Sequence, residues 1–218
     1  MRIPITRYGA REVITGSAAC LALTAAAVLL FWPAAPLIGL LWLWLLAFFR
    51  DPDRTVPEAP KALLSPADGT VWDVERVEPP GEFLEGPCVR IGIFMSIFDV
   101  HVNRSPASAT VSYRRRVPGR HLDARKAAAP IENERNLLGI STADGRQLLL
   151  QQIAGAVARR IVCEAEPGIE LAAGQRFGMV KFGSRVELFV PEADQFHVSV
   201  RPGDRVKAGK DILGTYPS

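Results

Sequence analysis

The sequence is poor in side chains suited to metal, redox or thiol chemistry, with three cysteines and three histidines in 218 residues. Cys20, Cys88 and Cys163 form no CxxC pair and have no histidine at ligand spacing, which argues against zinc. Their odd number and wide spacing suit a reducing compartment, with Cys88–Cys163 as the one disulfide left open. Most of the chain also lacks a charge imbalance. Residues 1–50 carry Arg2, Arg7, Arg11 and Arg50 against Glu12; without these, the 26 basic and 23 acidic side chains fall to 22 of each. The basic character belongs to the N-terminal end. A nucleic-acid surface, which needs Lys and Arg clustered on the folded domain, is not expected. Helical periodicity is scarce beyond residue 50, with Leu122–Leu138 its best candidate. There is no internal repeat.

What the sequence does have is a long uncharged run, Ser17 to Phe49, which exceeds the ~20 residues needed to cross a bilayer once. Pro33 and Pro36 divide it into an Ala/Leu-rich half and a Trp/Leu-rich half. Two arrangements fit: a helical hairpin with both ends on the cytoplasmic side, or one tilted, kinked helix. Arginines flank both ends, which favours the hairpin under the positive-inside rule, and Trp32, Trp42 and Trp44 suit the headgroup level. A cleaved signal peptide would have a shorter apolar region, ~7–15 residues, and a small-residue cleavage site.

After Arg50 the composition changes to a polar, proline-rich linker, and then short apolar runs alternate with Gly, Pro and Asp turns. Gly69–Val74, Val89–Phe98, Ala109–Arg116, Gln147–Ala154, Arg159–Ala165, Gly178–Lys181, Val186–Val190, His197–Val200 and Ile212–Thr215 read as strands. The expected fold is mainly β with some helix (α+β): a barrel- or sandwich-like domain over residues 51–218, behind a membrane-associating helical segment at 1–50. Arg114-Arg115-Arg116 reads equally well as a headgroup contact or as a solvated strand end.

The dipeptide Gly183-Ser184 would by itself mean only a turn. It lies, however, in Val180-Lys181-Phe182-Gly183-Ser184-Arg185-Val186-Glu187-Leu188-Phe189-Val190-Pro191, between two β-patterned runs. This segment resembles the processing site of the phosphatidylserine decarboxylases. Four other segments resemble blocks of that family, in the family's order. They are Phe48-Phe49-Arg50-Asp51-Pro52-Asp53-Arg54, Ser65-Pro66-Ala67-Asp68-Gly69-Thr70-Val71, Phe94 to Pro106 around His101, and Glu132-Asn133-Glu134-Arg135-Asn136. Together they run from about residue 37 to the end of the chain and look like a short bacterial form of the enzyme.

The resemblance implies decarboxylation of phosphatidylserine to phosphatidylethanolamine through a Schiff base with a pyruvoyl group. That group would be made from Ser184, with neither metal nor PLP. Ser184 would attack the Gly183 carbonyl, and β-elimination of the ester would release the upstream chain and leave dehydroalanine, then pyruvoyl. The products would be 1–183 and 184–218, a heterodimer of the chain's own pieces held in one sheet system, with further oligomerisation left open. Phosphatidylserine and membrane lipid would be the partners, at the cytoplasmic face of the cell membrane. Serine needs a positioned base, and glycine before it permits a strained backbone. A pyruvoyl group does the electron-sink work that PLP does elsewhere.

The family's Asp-His-Ser arrangement implies a base among His101, His121 and His197. His101 fits best, as base for the cut and as proton donor in the decarboxylation. The longer bacterial enzymes carry two histidines three residues apart in this segment, whereas here Arg104 stands at the second place. Whether His101 serves both steps is therefore open. Asp68 is the implied triad acid, although Asp-Gly is also a common turn; Asp99, two residues from His101, is the alternative. Three other functions compete: a pyruvoyl enzyme for a soluble amino acid, a zinc peptidase on a β-sandwich, and a membrane-anchored interaction module. The apolar segment disfavours the first, His101-Val102-Asn103 lacks a ligand pair for the second, and an intact chain would mark the third.

Overall fold

The computed structural model describes residues 4–59, 61–156, 160–181, 183–192 and 195–217. Two compact units emerge, residues 1–53 and residues 54–218. In the first, a 3-10 turn at Arg7–Gly9 leads into α1 (Ala10–Leu30), and a turn at Trp32–Ala34 leads into α2 (Ala35–Phe48). Pro33 and Pro36 occupy first-turn positions of the elements they open, where the missing N–H costs nothing. They start a second helix rather than kink a single one.

The two helices run antiparallel. Thr6 N–H donates to Phe49 O at 2.9 Å, Ile5 and Arg50 form an antiparallel bridge, and Trp42 Nε1–H donates to Ser17 Oγ at 2.9 Å. A Cβ on Gly9 would lie 1.9 Å from the Phe49 ring, and one on Gly16 would lie 2.5 Å from Leu45, so glycine is what lets the helices close. Of the two sequence readings, the hairpin is the one formed. Leu29, Leu30, Phe31, Trp32, Leu37 and Leu40 are exposed on it. Arg7–Leu30 is long and apolar enough to cross a membrane. The 14 residues of α2 would span about 21 Å at the helical rise, short of the ~30 Å hydrocarbon core.

The second unit is built of short strands: β1 (Ala62–Leu64), β2 (Gly69–Val77), β3 (Cys88–Met95), β4 (Val102–Arg104), β5 (Ala109–Val117), β6 (Arg135–Thr142), β7 (Gln147–Ile153), β8 (Ile161–Cys163), β9 (Glu170–Leu171), β10 (Arg176–Val180), β11 (Ser184–Pro191), β12 (His197–Val198), β13 (Arg205–Val206) and β14 (Ile212–Thr215). One short helix, α3 (Ala129–Glu132), interrupts them. An eight-stranded antiparallel sheet runs β13-β2-β3-β11-β7-β6-β5-β9, and two three-stranded sheets run β4-β10-β8 and β1-β14-β12. The mainly β expectation holds, with a large sheet open at β13 and β9.

The centre of the large sheet is covered on both faces. Leu148, Leu150, Val186, Leu188 and Val190 join the main core, while Leu149, Phe189, Cys88 and Leu137 join a second cluster behind it. Strands buried on both faces need not alternate in polarity. This is why residues 135–142, with Leu137, Leu138 and Ile140 all buried, form β6 rather than the expected helix over Leu122–Leu138. The expected strand Val89–Phe98 ends at Met95, and Ser96–Asp99 turns instead. The expected start at Arg159 lies outside the described residues. Cys20, Cys88 and Cys163 are free thiols, so no Cys88–Cys163 bond forms.

Candidate active site

Ser184 opens β11, the strand between β3 and β7. Side chains alternate across a strand. Ser184 therefore shares the core face with Val186, Leu188 and Val190, while Arg185 and Glu187 face the other way. Its hydroxyl is fully buried, and among the described residues its oxygen has no hydrogen-bond partner. A buried hydroxyl usually finds a partner, and leaving one unmade costs about 1–3 kcal/mol. Gly183 takes φ +67°, in the left-handed region that favours glycine. Phe182, part of the expected motif, lies outside the described residues.

His101 immediately precedes β4, which pairs with β10 through Met179 and Val102. That pairing sets the imidazole beside the chain leaving β10. Its Nε2 accepts the Gly183 N–H at 3.2 Å, and its Nδ1 lies 2.9 Å from Asp99 O. An accepting Nε2 places the proton on Nδ1, which donates to the Asp99 carbonyl; the tautomer is inferred from these bonds. The ring is fully buried.

The Asp99 carboxylate holds the turn that presents this carbonyl. Oδ2 accepts from Ser96 N–H at 2.8 Å and from the Ser96 hydroxyl at 2.7 Å, and Oδ1 pairs with Arg205 at 2.5 Å. Asp68 is placed differently from the sequence expectation. Its Oδ2 pairs with Arg54 at 2.7 Å and its Oδ1 accepts the Ala208 N–H at 2.8 Å. Burial raises its pKa against the pull of Arg54, and the nearby Asp99 charge adds to the rise. The structure thus brings His101 to Gly183–Ser184 but does not bond Asp68 to His101. His121 sits 3.3 Å from Glu134, and His197 is exposed on β12. Arg114 pairs with Glu166 and Arg116 with Glu134, so the basic run is largely spent within the fold.

Several supporting groups had no signal in the sequence. Behind Ser184, Arg185 pairs with Asp73 at 2.7 Å and with Glu187 at 2.6 Å, and Arg90 reaches Glu75 at 2.6 Å. Gly92 makes room, since a Cβ there would lie 2.6 Å from both Arg185 and Asp73. Burial pushes the Glu187 carboxyl up, opposed by Arg185 and Arg90. A buried amide chain links Asn136 to Gln152 at 3.0 Å and Gln152 to Asn103 at 2.8 Å. These partners lie far apart in sequence and alternate with nothing. Among the described residues no three of His, Cys, Asp and Glu gather as a metal would require.

A cavity of about 150 Å³ opens beside the dipeptide, lined by Phe94, Ile97, Asp123, Ala124, Arg125, Ala156 and Gly183. Arg125 clasps Asp123, lowering its pKa to about 2 through the side-chain hydrogen bond, and its guanidinium lies 5.8 Å from the Phe94 ring centre.

A buried serine whose hydroxyl has no partner among the described residues, a left-handed glycine before it and a histidine on that glycine's N–H form the centre of the candidate site. Residues 41–214 match the family model described as phosphatidylserine decarboxylase. A phosphatidylserine decarboxylase proenzyme from Symbiobacterium thermophilum is 42% identical over 217 residues, covering 100% of this chain and 98% of that protein. One from Cereibacter sphaeroides is 44% identical over 192 residues, covering 87% and 82%. One from Carboxydothermus hydrogenoformans is 46% identical over 188 residues, covering 86% of each. The chain belongs to the phosphatidylserine decarboxylase family, an enzyme family of decarboxylase proenzymes.

Proposed function

We propose that this proenzyme cuts its own backbone between Gly183 and Ser184, and that the mature enzyme converts phosphatidylserine to phosphatidylethanolamine at the cytoplasmic face of the cell membrane. The observation that carries the reading is the buried Ser184 hydroxyl, without a partner among the described residues, directly after a glycine whose N–H is bonded to a histidine. Once Nε2 releases the Gly183 N–H and the Ser184 hydroxyl turns to it, His101 can take the hydroxyl proton as Oγ attacks the Gly183 carbonyl. The C–N bond breaks, the proton passes to the released nitrogen, and an ester joins Gly183 to Ser184 Oγ. Loss of the Ser184 α-proton then expels the Gly183 carboxylate. Water replaces the nitrogen as ammonia, which leaves the pyruvoyl group at residue 184. Once formed, that group supplies a carbonyl that takes the substrate amine and accepts the electrons released with carbon dioxide.

In this reading the Asp99 carbonyl holds His101 in its reactive tautomer. Asp68, the acid implied by the family resemblance, acts at one remove, through its field at Asp99 and its grip on Arg54. The hairpin of residues 10–48 anchors the enzyme to the bilayer that holds its substrate.

The cut would separate β10 from β11. Unlike the single sheet system expected from the sequence, these strands lie in different sheets. The smaller piece would still stay bound, since β11 pairs with β3 and β7, β13 with β2, and β14 with β1. The test is Ser184→Ala, analysed by denaturing electrophoresis and intact mass. Wild type should yield 1–183 and an N-terminally blocked 184–218, and the variant one inactive chain. Decarboxylase activity in the variant would sink the mechanism.

A further inference from the structure

Resting on the self-cleavage reading, one contact assigns work to two residues outside the Asp-His-Ser set. A Cβ placed on Gly155 would lie 1.9 Å from the Gly183 carbonyl oxygen and 3.1 Å from its carbon. Real Cβ atoms do not approach below about 3 Å, because hard-sphere repulsion rises steeply there. The scissile carbonyl therefore rests directly on the Gly155 backbone, at a separation that only glycine allows.

The Gly155 backbone is held from both sides of the preceding residue. Ala154 N–H donates to Glu134 O at 2.9 Å, and Ala154 O accepts from Asn133 Nδ2 at 2.7 Å. The same Asn133 amide clamps a second segment: Nδ2 donates to Leu122 O at 2.9 Å, and Oδ1 accepts the Leu122 N–H at 2.8 Å. That segment carries Ala124, whose Cβ would lie 3.7 Å from the added Gly155 Cβ. Asn133 is fully buried. One side chain thus fixes the backbone leading into Gly155 together with a second segment packed beside it.

We infer that Gly155 and Asn133 are positioning residues for the self-cleavage step: Gly155 provides the surface on which the Gly183 carbonyl oxygen moves as its carbon becomes tetrahedral, and Asn133 fixes that surface. As Ser184 Oγ adds, the carbonyl carbon pyramidalises and its oxygen leaves the peptide plane. A methyl group at 155 would either block that movement or turn the peptide before attack. Either change alters the line from Oγ to the carbon, and misplacement of about 1 Å can cost about a hundredfold in rate. After the cut, Gly183 is a free carboxylate and the constraint has done its work. The step affected is therefore maturation and not turnover.

The test measures three quantities on full-length proenzyme carrying Gly155→Ala or Asn133→Ala: the rate of appearance of 184–218, the thermal midpoint, and turnover per pyruvoyl group in whatever fraction has been cut. Cutting should slow about 10- to 100-fold in each folded variant, while turnover per pyruvoyl group stays within about threefold. Hydroxylamine, which cleaves an accumulated ester, should release no more 184–218 from the variants than from wild type, because the block precedes the ester. A folded Gly155→Ala chain that cuts at the wild-type rate overturns the inference. So does an Asn133→Ala chain in which turnover falls by the same factor as cutting, since that marks a general structural role. If Gly155→Ala is not recovered folded, Asn133→Ala decides. Failure of wild type to split, or splitting of Ser184→Ala, would instead refute the self-cleavage reading beneath it.

Discussion

Replacement of His101 by glutamine separates the chemical part of the site from its structural part. Nδ1 of the imidazole lies 2.9 Å from Asp99 O, and Nε2 accepts the Gly183 N–H at 3.2 Å. A glutamine carbonyl can still accept the Gly183 N–H, so one hydrogen bond and some packing are lost. A net hydrogen bond contributes about 1 kcal/mol. With packing, the stability loss is about 1–2 kcal/mol, a fall in Tm of about 2–8 °C for a chain of this size. The kinetic effect is larger. A positioned base contributes about 10²–10⁴-fold, or about 2.7–5.4 kcal/mol of barrier at 1.36 kcal/mol per decade. His101→Gln should thus remain folded while cutting at most a hundredth as fast as wild type. The assay is a time course of newly made proenzyme on denaturing gels, with intact mass to fix the cut and a melting curve to fix the fold. A folded His101→Gln chain that cuts within threefold of wild type would refute His101 as the base. Turnover per pyruvoyl group in the fraction that matures slowly answers the question left by Arg104. A parallel loss there means that His101 serves both steps, and normal turnover means that it serves only the cut.

Two further outcomes follow from the electrostatics. Arg185 is 3% exposed and pairs with both Asp73 and the fully buried Glu187. Arg185→Met should destabilise the proenzyme by about 3–5 kcal/mol, the usual cost of stranding a buried charge, and adding Glu187→Gln should recover part of it; a loss below about 1 kcal/mol by chemical denaturation would contradict the buried network. Asp123, with its pKa lowered to about 2 from the ordinary 3.8 by the Arg125 hydrogen bond, has a folded-state pKa below its unfolded one. The Arg125 clasp therefore contributes fully above about pH 4 and is lost as pH falls through about 2. An NMR titration should show that midpoint, and Arg125→Ala should move it up toward 3.8; a wild-type midpoint near 3.8 would dispose of the clasp.

The β character of residues 54–218 was legible because turn residues and short apolar runs are local signals, and β14 falls where the pattern puts it, at Ile212–Thr215. The helical hairpin was legible in part: flanking arginines and two prolines pointed to it, but Gly9 and Gly16 gain meaning only when Phe49 and Leu45 lie against them. The helix expected over 122–138 forms only at Ala129–Glu132, and the miss at residues 135–138 came from the same limit. Burial on both faces removes the alternation that would have marked β6, and burial belongs to the assembled sheet.

The sequence by itself determined which chemistry was possible. One serine follows a glycine between two β-runs, only three histidines are available as base, and a long apolar segment implies a lipid surface. The tertiary structure decided which of these groups meet. Pairing of β4 with β10 carries His101 to the Gly183 N–H across 82 positions of sequence, and the Asp68 carboxylate bonds Arg54 and the Ala208 N–H. Gly155 comes to the Gly183 carbonyl in the same way, and Asn133 to the carbonyl of Ala154. Residue types and local spacing are written along the chain, whereas approach to within 3 Å depends on strand register and on what has already claimed each polar atom.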